Sequence, residues 1–161
     1  MITFLNKSVE HRFQGLVNDW QGCTKCPLSS SRRKIVHYRG ILPCKVLFVG
    51  EAPGESEDSL GFPFVGEAGR ELDYLLGCAL MKPFDDCLPE CRYCARTVYN
   101  NSCTSCGAPH ALMDIGITNI CACIPRTSSE LGSGQLRPPT KEEAKACADR
   151  LSERRIGPAR F

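Results

Sequence analysis

Cysteine spacing constrains this chain more than any other feature. Twelve cysteines stand in 161 residues. Most come in close pairs: Cys23 with Cys26, Cys91 with Cys94, Cys103 with Cys106, Cys121 with Cys123. Reducing conditions disfavour stable disulfides, so cytosolic thiols at such spacing are expected to hold a metal or cluster. Cys44 and Cys78 stand alone and serve equally well as small buried apolar residues. The N-terminus, MITFLNKSVEHRFQGLV, is polar throughout. It has no basic stretch leading into an apolar run, so no signal peptide is expected. No stretch approaches the ~18 apolar residues of a membrane span. A cytoplasmic protein follows, without a membrane partner.

The rest of the composition is that of one soluble domain. Hydrophobic residues make up 42% and charged residues 24%, enough for a real core. A net charge of +2 neither requires nor excludes nucleic acid, which needs a local basic patch and not a basic whole.

Periodicity places the elements. Ser8 to Trp20 reads as an amphipathic helix capped by Ser8, with Val9, Phe13, Leu16 and Trp20 at helical spacing. Lys45 to Val49 reads as a buried parallel strand. Gly50 to Gly66, rich in Gly, Pro and acids, reads as loop. Gly66 to Met81 returns to helix, with Leu72, Leu75, Leu76 and Leu80 on one face. Ile117 to Cys123 reads as a second strand, and Pro125 to Pro139 as loop. Thr140 opens a last helix, with Glu143 completing a capping box. Strands alternating with helices indicate a parallel α/β sheet.

Three short motifs carry chemistry. Gly50-Glu51-Ala52-Pro53-Gly54-Glu55 follows a strand directly, at the end where open α/β sheets bind ligands; it could also be an acidic surface turn. Phe64, between Pro63 and Gly66, either offers its ring to a planar ligand or dips into the core. Asn119 carries a donor and an acceptor on one amide, which suits the edge of a base, or equally satisfies nearby backbone.

Taken together, these segments resemble one family. GEAPGESEDSLGFPFVGEAGRELD is similar to the signature of the family 4, iron–sulfur uracil-DNA glycosylases. CTKCPLSSSRRKIVHYRG, ITNICACIPR and PPTKEEAKAC resemble that family's cysteine-bearing segments. The match runs from about Cys23 to Cys147. It implies a three-layer α/β fold around a parallel sheet, incomplete at the C-terminus, with residues 1–161 as a single domain. The implied activity is hydrolysis of the N-glycosidic bond of uracil in DNA, by a monomer. The implied ligands of a [4Fe-4S] cluster are Cys23, Cys26, Cys123 and Cys147. Cys121 competes with Cys123, since residues two apart in a strand share a face, and the family places its cysteine four residues after the Asn. The resemblance further implies that Glu51 positions the attacking water, and that Ala52, Phe64 and Asn119 bind uracil.

The chain also departs from that family. The family supplies a hydrogen-bond donor to uracil O2 from a His-Pro-Ser segment near its C-terminus. None of His11, His37 and His110 has that context, so the chain as given is expected to be inactive or nearly so. Residues 85–110 form an insert. Its Cys91-x2-Cys94 and Cys103-x2-Cys106 pairs have the spacing of a zinc knuckle. The loop IPRTSSELGSGQLRPPTKEE is longer than the resemblance gives and contains no His, so covalent trapping of the product is not expected. Its Arg126 and Arg137 could contact DNA phosphates or simply lie in solvent. The alternative function is a non-catalytic nucleic-acid-binding module held by an iron–sulfur cluster and zinc.

Overall fold

The computed structural model of the chain describes residues 2–4, 7–80 and 115–152, without the side chains of residues 3, 77–80 and 152. The insert, with Cys91, Cys94, Cys103 and Cys106, lies outside the described residues, as does His110.

Helix α1, Lys7–Trp20, forms on the expected apolar stripe: Val9, Phe13, Leu16 and Trp20 are all buried. It begins at Lys7, so Ser8 lies inside the helix and does not cap it. A short turn of helix, α2 (Leu28–Ser31), follows the first cysteine pair. Strand β3, Val46–Gly50, and strand β4, Ile115–Asn119, pair in parallel over five residues, from Val46 with Ile115 to Gly50 with Asn119.

Two further strands carried too little periodicity to be read from sequence. β1 is Ile2–Phe4 and β2 is Arg39–Leu42. The order across the sheet is β1-β2-β4-β3. β1 runs parallel to β2, but β2 runs antiparallel to β4. The sheet is therefore mixed and not wholly parallel. β3 was expected to be buried, yet Val46 and Val49 are about half exposed. The reason is position: among the described residues β3 has a strand neighbour on one side only.

Both faces of the sheet are covered. Ile115 and Ile117 of β4 pack with Leu76, Leu72, Phe48 and Phe64. Leu72 and Leu76 belong to α4, Glu67–Leu80. Leu75 was expected on the same face but is 55% exposed; it lies a quarter-turn round from the buried stripe. Successive strand residues point to opposite faces, and a side chain on Gly116 would meet Tyr38 and Cys44. Tyr38 packs with Val9, Phe13, Leu16 and Trp20 of α1. Cys44 is thus a buried apolar residue. One buried ion pair ties the sheet to α4: the Arg39 guanidinium meets Asp73 at 2.6 and 3.1 Å. Burial pushes the Asp73 carboxyl above its ordinary range, and Arg39 opposes that shift.

Residues 120–123 do not continue β4; the chain bends there. Helix α5, Lys141–Ser152, closes the described chain. Its capping box is present: Glu143 N–H donates to Thr140 Oγ1 at 3.2 Å, and Thr140 N–H donates to Glu143 Oε2 at 2.8 Å. No described helix is long and apolar enough to cross a membrane.

Candidate functional site

Parallel pairing sets Gly50 beside Asn119 at the C-terminal ends of β3 and β4. Gly50 has no side chain, and two groups use that space. A Cβ there would collide with Asn119 Oδ1 and would lie 2.5 Å from two ring carbons of Phe64. The amide and the ring therefore converge over one backbone position. Asn119 is only 1% exposed, and its Oδ1 has no hydrogen-bond partner among the described residues. A buried acceptor without a partner is costly unless something else supplies the donor.

Phe64 is the one non-glycine described residue in the left-handed region, at φ 55°. Such a conformation costs on the order of 1 kcal/mol or more and persists only where the surroundings impose it. Here they do. Gly69 of α4 lies so close to the Phe64 backbone that no side chain would fit between them. Glu57 holds the flanking chain: its Oε1 accepts the Val65 and Gly66 N–H groups at 2.8 and 2.7 Å, and its Oε2 accepts Gly54 N–H at 3.0 Å. Glu57 sits on α3, Glu55–Leu60, a helix inside the segment expected to be loop. Ala52, Glu57, Phe64, Gly69 and Asn119 all border one cavity of about 430 Å³, with Leu136 also on its lining. Glu51 is exposed and is not among the lining residues, although its neighbour Ala52 is.

The arginines of the long loop turn inward. Arg126 is nearly buried and grips both carboxylate oxygens of Glu55, with Asp58 Oδ2 3.6 Å away. Arg137 makes a two-point contact with Glu143, at 2.8 and 2.6 Å. Neither is the free surface charge, open to phosphate or solvent, that the sequence allowed. The loop's extra length folds on itself: Thr127 N–H donates to the Gln135 carbonyl, and Gln135 N–H to Thr127 Oγ1, both at 3.0 Å.

The cysteines converge on a second cavity. Cys23, Cys26, Cys121, Cys123 and Cys147 all line it, with Trp20, Lys25, Arg32, Ile35 and Glu143 among their neighbours. Arg32 Nη1 donates to Cys123 Sγ at 3.6 Å, and Ala122 N–H donates to Cys147 Sγ at 3.3 Å. Burial pushes the Cys121 and Cys123 thiols up to about 12. A metal or cluster held there must displace those protons. Among the described residues no three metal-ligating side chains close tightly around a single ion.

A model of the uracil DNA glycosylase superfamily matches residues 39–159. The chain belongs to that superfamily. It is similar to the type-4 uracil-DNA glycosylase of Archaeoglobus fulgidus, 30% identical over 136 residues, covering 84% of this chain and 50% of the relative. Against the type-4 enzyme of Thermotoga maritima it is 52% identical over 54 residues, 34% of this chain and 28% of the relative. Against that of Saccharolobus solfataricus it is 37% identical over 81 residues, 48% and 38% respectively. The chain thus spans half the length, or less, of each of these relatives.

Within this superfamily member, sequence reasoning missed two residues that shape the cavity. Glu57 looked like one acid among several; its only signal was its place three residues after Gly54, where a carboxylate can reach back to a helix start. Arg150 gave no signal at all. It is 0% exposed, three residues after Cys147 on α5. Its guanidinium donates to the main-chain carbonyls of Asn119, Ile120 and His37 and to Thr118 Oγ1.

Proposed function

We propose that this chain acts as a uracil-DNA glycosylase of base-excision repair, reading a uracil that has been turned out of DNA. The single observation that carries this is the convergence of the Phe64 ring and the unpartnered Asn119 Oδ1 over Gly50. A pyrimidine stacked on Phe64 would present its edge to Asn119. Uracil N3–H then donates to Oδ1, and the amide N–H donates to uracil O4. Cytosine offers the opposite pattern at both atoms, and a fixed amide rejects it because buried polar groups would be left unpaired. Main-chain groups at Ala52 border the base.

Turning the nucleotide out of the stack costs a few kcal/mol, which stacking and pairing in the cavity offset. Cleavage of the glycosidic bond leaves a cation-like sugar and a uracil anion. Glu51, exposed beside the cavity, favours the first by its charge and orients the attacking water. Donors aimed at uracil O2 favour the second. The sequence holds no His-Pro-Ser segment to supply one. Such a donor is worth roughly 10²–10³ in rate.

Five thiols on one cavity fit an iron–sulfur cluster better than a lone ion, because a cluster spreads its thiolates over several irons. Cys23, Cys26, Cys123 and Cys147 would hold a [4Fe-4S] cluster. Its contribution is structural: it fastens the loop after α1 to α5. Cys91, Cys94, Cys103 and Cys106 would bind one zinc ion, a reading that rests on spacing alone. A non-catalytic binding module is the weaker alternative, since it has no need of a carboxylate, a strained aromatic and an unpaired amide together.

The test is binding and release with single-stranded oligonucleotides carrying one uracil, using cluster-loaded protein. The uracil strand should bind at least tenfold tighter than its cytosine counterpart. Asn119→Asp should abolish that preference. If Asn119→Asp discriminates as the parent does, Asn119 does not read the base.

A further inference from the structure

A cubane cluster has four irons, each taking one protein thiolate, yet five cysteines border the cavity. The surplus lies on the bend after β4. Cys23 and Cys26 come from the loop after α1, and Cys147 from α5. Cys121 and Cys123 come together from residues 120–123, which follow no strand geometry. The strand rule that would separate or align their side chains therefore does not apply. Both are buried, Cys121 completely. Cys121 packs directly with Ala122 and Cys147 in one buried cluster. The peptide joining the two cysteines also touches the α5 cysteine, through the Ala122 N–H to Cys147 Sγ bond. Arg32 reaches Cys123 Sγ, and no such donor to Cys121 exists among the described residues. That contact sets Cys123 apart from Cys121 by geometry, as the sulfur already held in place by a neighbouring side chain.

We infer that Cys121 is a reserve ligand of the cluster, able to take the iron that Cys123 holds when Cys123 is lost. This inference rests on the cluster reading above. The exchange is a ligand substitution without electron transfer. The iron–sulfur bond to Cys123 breaks and one to Cys121 forms. The Cys121 proton passes to the departing Cys123 sulfur or, where that sulfur has been deleted, to solvent. Cys147 has no such substitute among the described residues, because α5 brings a single cysteine to the cavity.

The experiment measures iron and sulfide per chain, with the absorption and reduced-state spin-resonance spectra, after anaerobic reconstitution of the full chain. The variants are Cys121→Ala, Cys123→Ala, Cys123→Ser, Cys147→Ala, and the doubles Cys121→Ala/Cys123→Ala and Cys121→Ala/Cys123→Ser. Cys121→Ala should load as the parent does. Cys123→Ala should keep more than half of the parent's iron, whereas Cys147→Ala and the alanine double should keep less than a tenth. Cys123→Ser should give an all-thiolate spectrum, because Cys121 outcompetes the serine. The serine double, forced to use oxygen, should give a shifted spectrum. An empty Cys123→Ala overturns the inference if Cys123→Ser loads with the shifted, oxygen-ligated spectrum or is also empty. A parent that takes up no iron overturns the cluster reading, and this inference with it.

Discussion

Arg150 on α5 donates through Nη2 to the main-chain carbonyl of Asn119 on β4. The helix that carries Cys147 is thereby bonded to the residue whose amide faces the cavity. The same guanidinium reaches the His37 carbonyl and Thr118 Oγ1, each at 3.3 Å. Thr118 Oγ1 in turn donates to the His37 carbonyl at 2.6 Å. One side chain thus fixes the end of β4 from behind.

Removing it should be expensive. Arg150→Ala takes this donor from the buried Asn119 carbonyl, at about 1–3 kcal/mol before relaxation, and removes a buried side chain, while the His37 carbonyl keeps Thr118 Oγ1. A loss of about 3 kcal/mol in unfolding free energy is expected, read from the urea midpoint. Arg150→Lys should recover less than half, because an ammonium cannot span carbonyls from separate segments as a planar fork can.

Gly50→Ala tests the convergence of ring and amide. The added methyl would occupy the place where the Phe64 ring and Asn119 Oδ1 approach the backbone. Displacement by about 1 Å is enough to cost on the order of 10²-fold in a positioned site. Release of uracil from single strands should slow by that order and their binding should weaken, while iron loading stays unchanged. Unaltered binding would mean that the base does not lie over Gly50.

Acid should weaken the fold through His37. Burial, reinforced by the nearby Arg150 charge, lowers its pKa from 6.5 to about 4. Its Nδ1 is buried without a hydrogen-bond partner among the described residues. The unfolded chain therefore takes up a proton near pH 6.5 that the folded chain refuses. Stability from this group is complete above pH 6.5 and is lost as the pH falls toward 4. Urea midpoints measured across that window should decline for the parent and decline less for His37→Leu.

Metal counting addresses the insert. Protein purified without chelators should carry iron and about one zinc per chain. Cys91→Ser/Cys94→Ser should lose the zinc and keep the iron. Iron without zinc in the parent would remove the knuckle reading.

Much of this was legible from residue order. The stripe on α1, the Thr140–Glu143 box and the β3–β4 pair each repeat a local pattern whose period names the element. What escaped was non-local. α3 was hidden because its acids resemble a turn, and only the folded chain shows Glu57 spending its carboxylate on three backbone N–H groups. β1 and β2 are too short to show a period, so their pairing depends on partners distant in sequence. The bend at residues 120–123 looked like strand because Ile, Cys and Ala are apolar there; Cys121, Ala122 and Cys123 are buried around a cavity and not in a ladder, and Ile120 is exposed. Arg126, Arg137 and Arg150 carry no local mark that tells a buried pairing from a solvated charge.

The long loop before α5 is pinned at each end, by Arg126 on Glu55 and by Arg137 on Glu143, and closes on itself between Thr127 and Gln135. Residues 128–134 lie between the two anchors and carry one further tie, the Gly132 N–H to the Ser31 carbonyl at 3.2 Å. Leu131, exposed at the tip, is the natural graft point: a short epitope or dye-labelling tag spliced there leaves both arginine fastenings in place.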